Sequence, residues 1–140
     1  MSSKKIIIIG GVAGGASCAV RLRRLDEKAE IIMIESGEHI SFANCGLPYY
    51  IGDVIKDESK LLVETPEKMH ASFNIDIRIK SKALKINRES KTVEIHDLSN
   101  NNIYTESYDK LVLSPGAIPF RPPIPGINLS KIFTLRNIPD

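Results

Sequence analysis

The chain has 140 residues, of which 42% are hydrophobic and 26% charged, the composition of an ordinary globular domain that is long enough to bury a core. Its formal net charge of +2 gives no indication of a nucleic-acid or membrane surface, and the apolar run 6–9 is too short for a signal peptide or a membrane span. We therefore expect a cytoplasmic protein without a nucleic-acid or membrane partner, in which Cys18 and Cys45 form neither a structural disulfide nor a zinc site.

A βαβ unit opens the chain. The Ile-rich run Lys5–Ile9 predicts a buried parallel strand, residues 16–25 predict a helix, and residues 31–34 predict a second buried strand. A glycine-rich loop at 10–15 lies between the first strand and the helix. The unit is about 30 residues long, which is typical of a mononucleotide-binding half-fold.

The glycine loop favours a phosphate ligand. Gly10 lets the chain turn sharply out of the strand, and Gly14 and Gly15 let the helix begin close to the sheet, where its N–H groups can bind a pyrophosphate. Val12 interrupts the pattern G-x-G-x-x-G, but Glu35 follows the second strand, where a carboxylate can accept hydrogen bonds from ribose hydroxyls. This context predicts a dinucleotide site; the alternative is a Rossmann-like domain with purely structural glycines.

Cys45 lies in the segment SFANCGLPYY, residues 41–50. Because Pro48 favours the first turn of a helix, we place Cys45 at or just before a helix N-terminus, where free N–H groups and the helix dipole favour a thiolate. Such a thiolate can attack a disulfide or a peroxide and leave again. The alternative is a small buried hydrophobe in a loop-to-helix turn, but the nucleotide-binding unit upstream favours redox chemistry.

The rest of the chain predicts short elements and an inserted sheet. Residues 53–60 predict a loop, and Thr65 with Pro66 predicts a helix that begins there and runs to about Phe73. Alternating apolar residues predict four strands, at 75–79, 83–87, 92–96 and 103–107. We expect a small antiparallel insertion over about 75–107 in an α/β domain whose parallel sheet resumes at 108–113. A turn at 114–117 follows at the carboxyl edge, and 119–140 predicts a linker into a longer chain.

Four stretches of this chain resemble coenzyme A disulfide reductase-like flavoproteins of the pyridine nucleotide-disulfide oxidoreductase family: GGVAGGAS, SFANCGLPYYIG, YDKLVLSPGA and FTLRN. The resemblance implies a Rossmann-like FAD-binding domain that is split in sequence. Residues 1–118 would be its first segment, and 119–140 would lead toward an absent NAD(P)H domain. It also implies that the full-length protein is a homodimer with FAD as cofactor and NAD(P)H as co-substrate.

The resemblance implies roles for individual residues as well. The implied FAD-binding residues are Gly10, Val12, Ala13, Gly14, Gly15, Glu35, Ser36, Ala83, Ser114 and Gly116. The implied coenzyme A contacts are Ser17, Arg21, Arg24, Ser41 and Asn44, and the implied catalytic residues are Cys45, Asn44 and Ser41. Independently, Arg21 and Arg24 share one helix face and their guanidinium groups suit phosphates, whereas we interpret Arg23 as part of a solvated face.

The number of thiols limits the mechanism. Many members of the resembled family pair two cysteines five residues apart, but Ile40 and Tyr50 occupy those positions around Cys45. A cycle with one thiol stores its oxidised state as a mixed disulfide, here with coenzyme A, or as a sulfenic acid. The sulfenic acid would indicate an NADH oxidase or peroxidase, but Ala13 stands where such relatives carry a histidine.

Two further alternatives stay open. An NADH-dependent reductase of coenzyme A persulfide or polysulfide shares the Cys45 segment with the disulfide reductases. The chain could also be a flavin-binding module without catalysis. Whichever function holds, we expect the isolated 140 residues to have no NAD(P)H-dependent turnover, because the sequence contains a single glycine loop followed by a single acid-terminated second strand.

Overall fold

The computed structural model describes residues 3–140. The opening unit consists of β1 (Lys5–Ile9), α1 (Ala13–Leu25) and β2 (Glu30–Ile34). This confirms the predicted βαβ unit, although α1 begins three residues earlier than predicted. The reason is Gly10, whose φ of +95° turns the chain directly from β1 into the first helical turn.

The remaining elements are short. They are α2 (Leu47–Ile51), α3 (Pro66–Phe73), β3 (Asp76–Arg78), β4 (Ser81–Asn87), β5 (Thr92–Asp97), β6 (Asn102–Ser107) and β7 (Lys110–Leu113), with 3₁₀ turns at Asn44–Gly46 and Glu58–Leu61. The α3 helix begins as predicted, with the Thr65 hydroxyl accepting a hydrogen bond from the Lys68 N–H at 3.3 Å. None of the described helices has the length and apolar character that a membrane span requires.

The loop predicted at 53–60 is wrong at its end. The Asp57 carboxylate accepts a hydrogen bond from the Ser59 N–H at 2.9 Å and starts the 3₁₀ turn Glu58–Leu61. The turn carries Leu61 into a fully buried position. The polar composition of 53–60 did not predict this turn, because a single apolar side chain, Leu61, is enough to anchor it.

The strands form two sheets. The first has the order β3-β2-β1-β7 and is parallel throughout, and the second has the order β4-β5-β6 and is antiparallel. The predicted start of the insertion near residue 75 is therefore wrong, because β3 pairs with β2 through Ile32 and Asp76. The insertion begins at Ser81. Alternation at 75–79 fits an edge strand of either sheet, so the pattern could not separate the two.

The parallel sheet is the middle of three layers. One face carries Ile6, Ile8 and Met33, which pack with residues of α1 and α3. The other face carries Ile7, Ile32 and Ile34, which pack against Val93 and Ile95 of the antiparallel sheet. The apolar runs of β1 and β2 follow from this burial on both faces. The predicted α/β fold with a parallel sheet and a small antiparallel sheet is confirmed.

An ion network closes the junction between the two sheets. Glu106 of β6 accepts a hydrogen bond from the Lys5 ammonium at 2.5 Å and from the Arg78 guanidinium at 2.6 Å. Arg78 also pairs with Asp76 at 2.8 Å and lies 5.6 Å from the centre of the Tyr104 ring. The network joins β1, β3 and β6, three strands that are distant in sequence.

Arg23 does not belong to a solvated face, and that interpretation is wrong. Its Nε donates to the carbonyl of Phe73 at 2.8 Å, and one terminal nitrogen donates to the carbonyl of Asn74 at 2.9 Å. The other donates to the carbonyl of Glu27 at 2.7 Å. The side chain therefore links the C-terminal ends of α1 and α3, where cationic groups are favourable.

Candidate functional site

The glycine loop brings the N-terminus of α1 against the sheet. A Cβ on Gly15 would lie 1.7 Å from the carbonyl oxygen of Gly10, so only glycine allows this approach. A Cβ on Gly14 would lie 3.2 Å from the Ser114 hydroxyl. No side chain caps α1 and its first turn has no acidic residue. The first N–H groups can therefore receive an anionic ligand.

Glu35 ends β2 beside this loop. Its Oε2 accepts a hydrogen bond from the Gly11 N–H at 2.7 Å, and its Oε1 accepts one from the Gly37 N–H at 2.8 Å. The Ser36 hydroxyl lies 3.3 Å from the same Oε1. Sequence analysis missed Gly11 and Gly37 because their contribution is a backbone N–H, for which a glycine is only a weak signal.

The start of β4 lies next to Glu35. The Ser81 N–H donates to the carbonyl of Glu35 at 2.9 Å, and the Lys80 N–H donates to the carbonyl of Gly37 at 2.9 Å. Ala83 follows two residues later and is half-buried between the sheets. The fold thus places the Glu35 end of β2 beside the strand that contains Ala83, another of the implied FAD-binding residues.

Cys45 occupies the 3₁₀ turn that leads directly into α2. This confirms its predicted place just before a helix. Its side chain is exposed and carries a free thiol, so the alternative of a small buried hydrophobe is wrong. Phe42, Leu47 and Leu61 form a buried cluster beneath the turn. The buried cluster therefore supports the turn that exposes the thiol at the surface.

Ser41 attaches the Cys45 turn to the glycine loop. Its N–H donates to the carbonyl of Gly11 at 3.1 Å, and its own carbonyl accepts from the Val63 N–H at 2.8 Å. Ser41 has a φ of +47°, a left-handed conformation that is uncommon for a residue other than glycine. The redox candidate and the phosphate-binding candidate are thus parts of one hydrogen-bonded unit.

The end of the chain contacts the same site. The Asn44 side-chain amide donates to the carbonyl of Arg136 at 3.2 Å, and the Arg136 Nε donates to the carbonyl of Ala117 at 3.2 Å. Ala117 follows the turn after β7 that contains Ser114 and Gly116. Arg136 thereby lies between two predicted parts of the site, and sequence analysis assigned it no role.

The predicted coenzyme A residues of α1 form an exposed line. Ser17, Arg21 and Arg24 follow the spacing i, i+4 and i+7, which puts them on one face of the helix. All three are exposed, and neither arginine forms an ion pair with another described residue. Their guanidinium groups are free to bind an anion, unlike that of Arg23.

Comparison with known proteins covers almost the whole chain. Residues 4–140 match the family model described as pyridine nucleotide-disulphide oxidoreductase. A curated coenzyme A disulfide reductase of Staphylococcus epidermidis is 45% identical over 138 residues, which are 97% of this chain and 30% of that protein.

Two solved structures share the fold. The reduced CoADR-RHD of Bacillus anthracis is 60% identical with a TM-score of 0.95, over 99% of this chain and 25% of its own. An NAD-dependent persulfide reductase from A. fulgidus is 35% identical with a TM-score of 0.90, over 96% of this chain and 25% of its own. The chain spans about 30% of the length of the curated relatives it matches.

Proposed function

Because the chain belongs to the pyridine nucleotide-disulphide oxidoreductase family, we propose that it supplies the redox thiol and most of the dinucleotide cradle of a cytoplasmic NAD(P)H-dependent coenzyme A disulfide reductase. The observation that carries the proposal is the exposed, free Cys45 in a turn that Ser41 ties to the glycine loop. The identity to a curated coenzyme A disulfide reductase supports the choice of substrate.

The residues of the cradle fit FAD. The uncapped N-terminus of α1, reached through Gly10, Gly14 and Gly15, would hold the pyrophosphate, with Val12 and Ala13 contributing backbone N–H groups. The carboxylate of Glu35 has lone pairs left for ribose hydroxyls after its two backbone contacts. The backbone near Ala83 would border the adenine, Ser36 the ribose, and Ser114 and Gly116 the rest of the cofactor. When bound, FAD would supply two electrons taken from NAD(P)H.

The exposed, free thiol of Cys45 supports a cycle that uses this one cysteine. Its thiolate attacks one sulfur of coenzyme A disulfide, which forms a Cys45–coenzyme A disulfide and releases the first coenzyme A thiolate. Two electrons then split this mixed disulfide into the Cys45 thiolate and the second coenzyme A thiolate. Ser41 and Asn44 precede Cys45 in the same segment and would orient the substrate, and Ser17, Arg21 and Arg24 would bind its phosphates.

The domain organisation is part of the proposal. Residues 1–118 form the first segment of the FAD-binding domain, and 119–140 lead toward the NAD(P)H domain. The outer edge of β7 has no strand partner among residues 3–140, and Leu113 on it is 59% exposed. A later segment of the full-length protein would cover this edge. We also propose that the full-length protein is a homodimer.

A second candidate acceptor is coenzyme A persulfide. The structural similarity to an NAD-dependent persulfide reductase, with a TM-score of 0.90, favours it. Cys45 would serve as the thiol in that reaction as well. A cycle through a cysteine sulfenic acid, as in an oxidase or peroxidase, is less favoured because Ala13 offers no proton donor at the glycine loop.

The test is the intact mass of the full-length protein purified without reductant, measured before and after dithiothreitol. We expect a loss equal to one coenzyme A per chain, mapped to the Cys45 peptide. The variant Cys45→Ser should lose this adduct and its disulfide turnover while keeping bound flavin, whereas Cys18→Ser should resemble the wild type. A difference of one oxygen atom at Cys45 would contradict the mixed disulfide and favour the sulfenic acid.

A further inference from the structure

We propose that Arg136 is a positioning residue for the Cys45 turn, and that residues 136–140 act as a clasp which fixes the side-chain amide of Asn44. The inference rests on the proposed function, because it assigns the orientation of Asn44 to the same disulfide chemistry. It adds a contact from the linker region 119–140 to the Cys45 turn.

Two internal hydrogen bonds close the clasp on itself, and one side chain ties it to the turn after β7. The carboxylate of Asp140 accepts hydrogen bonds from the N–H groups of Arg136 and Asn137 at 2.7 and 2.8 Å. The side chain of Arg136 reaches the other way and donates to the carbonyl of Ala117. These contacts fix the position of the Arg136 backbone carbonyl without any helix or strand.

An apolar contact anchors the clasp beneath Cys45. Ile138 packs against the buried cluster of Phe42, Leu47 and Leu61 that supports the turn. The segment therefore contacts the turn by packing as well as by the Asn44 hydrogen bond. Both contacts would move together if the linker moved.

The hydrogen bond determines which way the Asn44 amide points. A carbonyl oxygen can only accept, so the amide nitrogen of Asn44 must face Arg136. The amide oxygen then faces away from the clasp and is free to accept a hydrogen bond from a ligand. Without the clasp, the amide would be free to rotate by half a turn and present either atom. We infer that the clasp selects the orientation that receives the substrate.

The test is a double-mutant cycle in the full-length, flavin-loaded protein with Asn44→Ala and Arg136→Ala. We expect each variant to raise KM for coenzyme A disulfide by about three- to tenfold, and the double variant to show no further rise, because Arg136 acts through Asn44. Arg136→Lys should restore much of the loss, since an ammonium group can also donate to the Ala117 carbonyl. The matched control is Arg121→Ala, because Arg121 is an exposed arginine of the linker region 119–140 that lies outside the clasp.

A second readout separates this proposal from the proposed function. The rate at which iodoacetamide alkylates Cys45 in the reduced protein should shift by the same factor in both single variants and in the double variant. If the wild type does not reduce coenzyme A disulfide, the proposed function fails, and the alkylation cycle still decides the role of Arg136. Additive effects, or an Arg136→Ala variant identical to the wild type, would overturn the clasp. If Arg136→Ala loses its flavin, Asp140→Ala, which removes the acceptor of the Arg136 and Asn137 N–H groups, replaces it in the same cycle.

Discussion

The carboxylate of Glu35 holds the backbone N–H of Gly11 at 2.7 Å, so the acid that ends β2 also shapes the glycine loop. Its second oxygen holds the N–H of Gly37 at 2.8 Å. One side chain therefore orders two loops and keeps lone pairs for a ligand. A substitution here acts on the loop conformation as well as on any direct contact with ribose.

The first prediction concerns Glu35→Gln in the full-length protein. The glutamine amide nitrogen would face a backbone N–H, so at least one charge-assisted hydrogen bond of about 1.5–3 kcal/mol is lost. We expect the Kd for FAD to rise roughly 10- to 100-fold. Quenching of flavin fluorescence on titration of the apoprotein measures this, with Glu38→Gln as the control because Glu38 pairs with Lys80 on the surface. An unchanged Kd for Glu35→Gln would contradict the assignment.

Local signals account for the elements that were predicted well. The bounds of β1 coincide with the predicted Lys5–Ile9, because an apolar run followed by glycine contains all the information needed for a buried strand. The helix α3 is bounded by Thr65 and Asn74, a cap and a left-handed residue that act within one turn. The sheet to which β3 belongs was predicted wrongly because pairing is a tertiary property that alternation does not encode.

The candidate site divides in the same way. The glycine loop and the turn at Cys45 have side-chain or glycine signatures, so both could be found in the sequence. The bond from Asn44 to Arg136 joins residues that are 92 positions apart and ends on a backbone carbonyl, which every residue type possesses. The acceptors of Arg23 are backbone carbonyls too. Contacts of this kind emerge only when the chain is folded.

The second prediction concerns the pH dependence of the sheet junction. Burial disfavours the charged form of Glu106, but hydrogen bonds from Lys5 and Arg78 outweigh it and hold the pKa of Glu106 below its ordinary value of 4.5. The hydrogen bond to Glu106 in turn raises the pKa of Lys5 above 10.5. A carboxyl group with a lowered pKa stabilises the fold above its ordinary pKa, and this contribution is lost as the pH falls through the folded-state value.

We therefore expect Glu106→Gln to lower the free energy of unfolding by about 1–3 kcal/mol between pH 5 and 9. The difference from the wild type should begin to shrink as the pH falls below about 4.5, where the carboxyl group of the unfolded chain takes up a proton. It should vanish only once the pH has also passed the lower folded-state pKa of Glu106. Thermal midpoints of the full-length protein from pH 4 to 8 measure this, with the exposed Glu94→Gln as the control. A difference that stays constant down to pH 4 would argue against the network as its cause.

The third prediction contrasts neighbouring arginines of α1. Arg23→Ala removes the donors that hold the carbonyls of Phe73, Asn74 and Glu27, so we expect the thermal midpoint to fall by several degrees. The KM for coenzyme A disulfide should stay within about twofold of the wild-type value. Arg23→Lys should not restore stability, because an ammonium group lacks the planar fork that reaches several carbonyls at once.

Arg24→Ala should change KM and leave the thermal midpoint unchanged, since Arg24 is exposed and forms no ion pair with the described residues. If Arg24 binds a phosphate of coenzyme A, its loss raises KM by about five- to tenfold, and the effect shrinks as salt is added because exposed charges are screened. Arg21→Ala should act in the same direction. Unchanged KM values for both variants at low ionic strength would remove α1 from the coenzyme A site, while the stability loss of Arg23→Ala would stand independently of it.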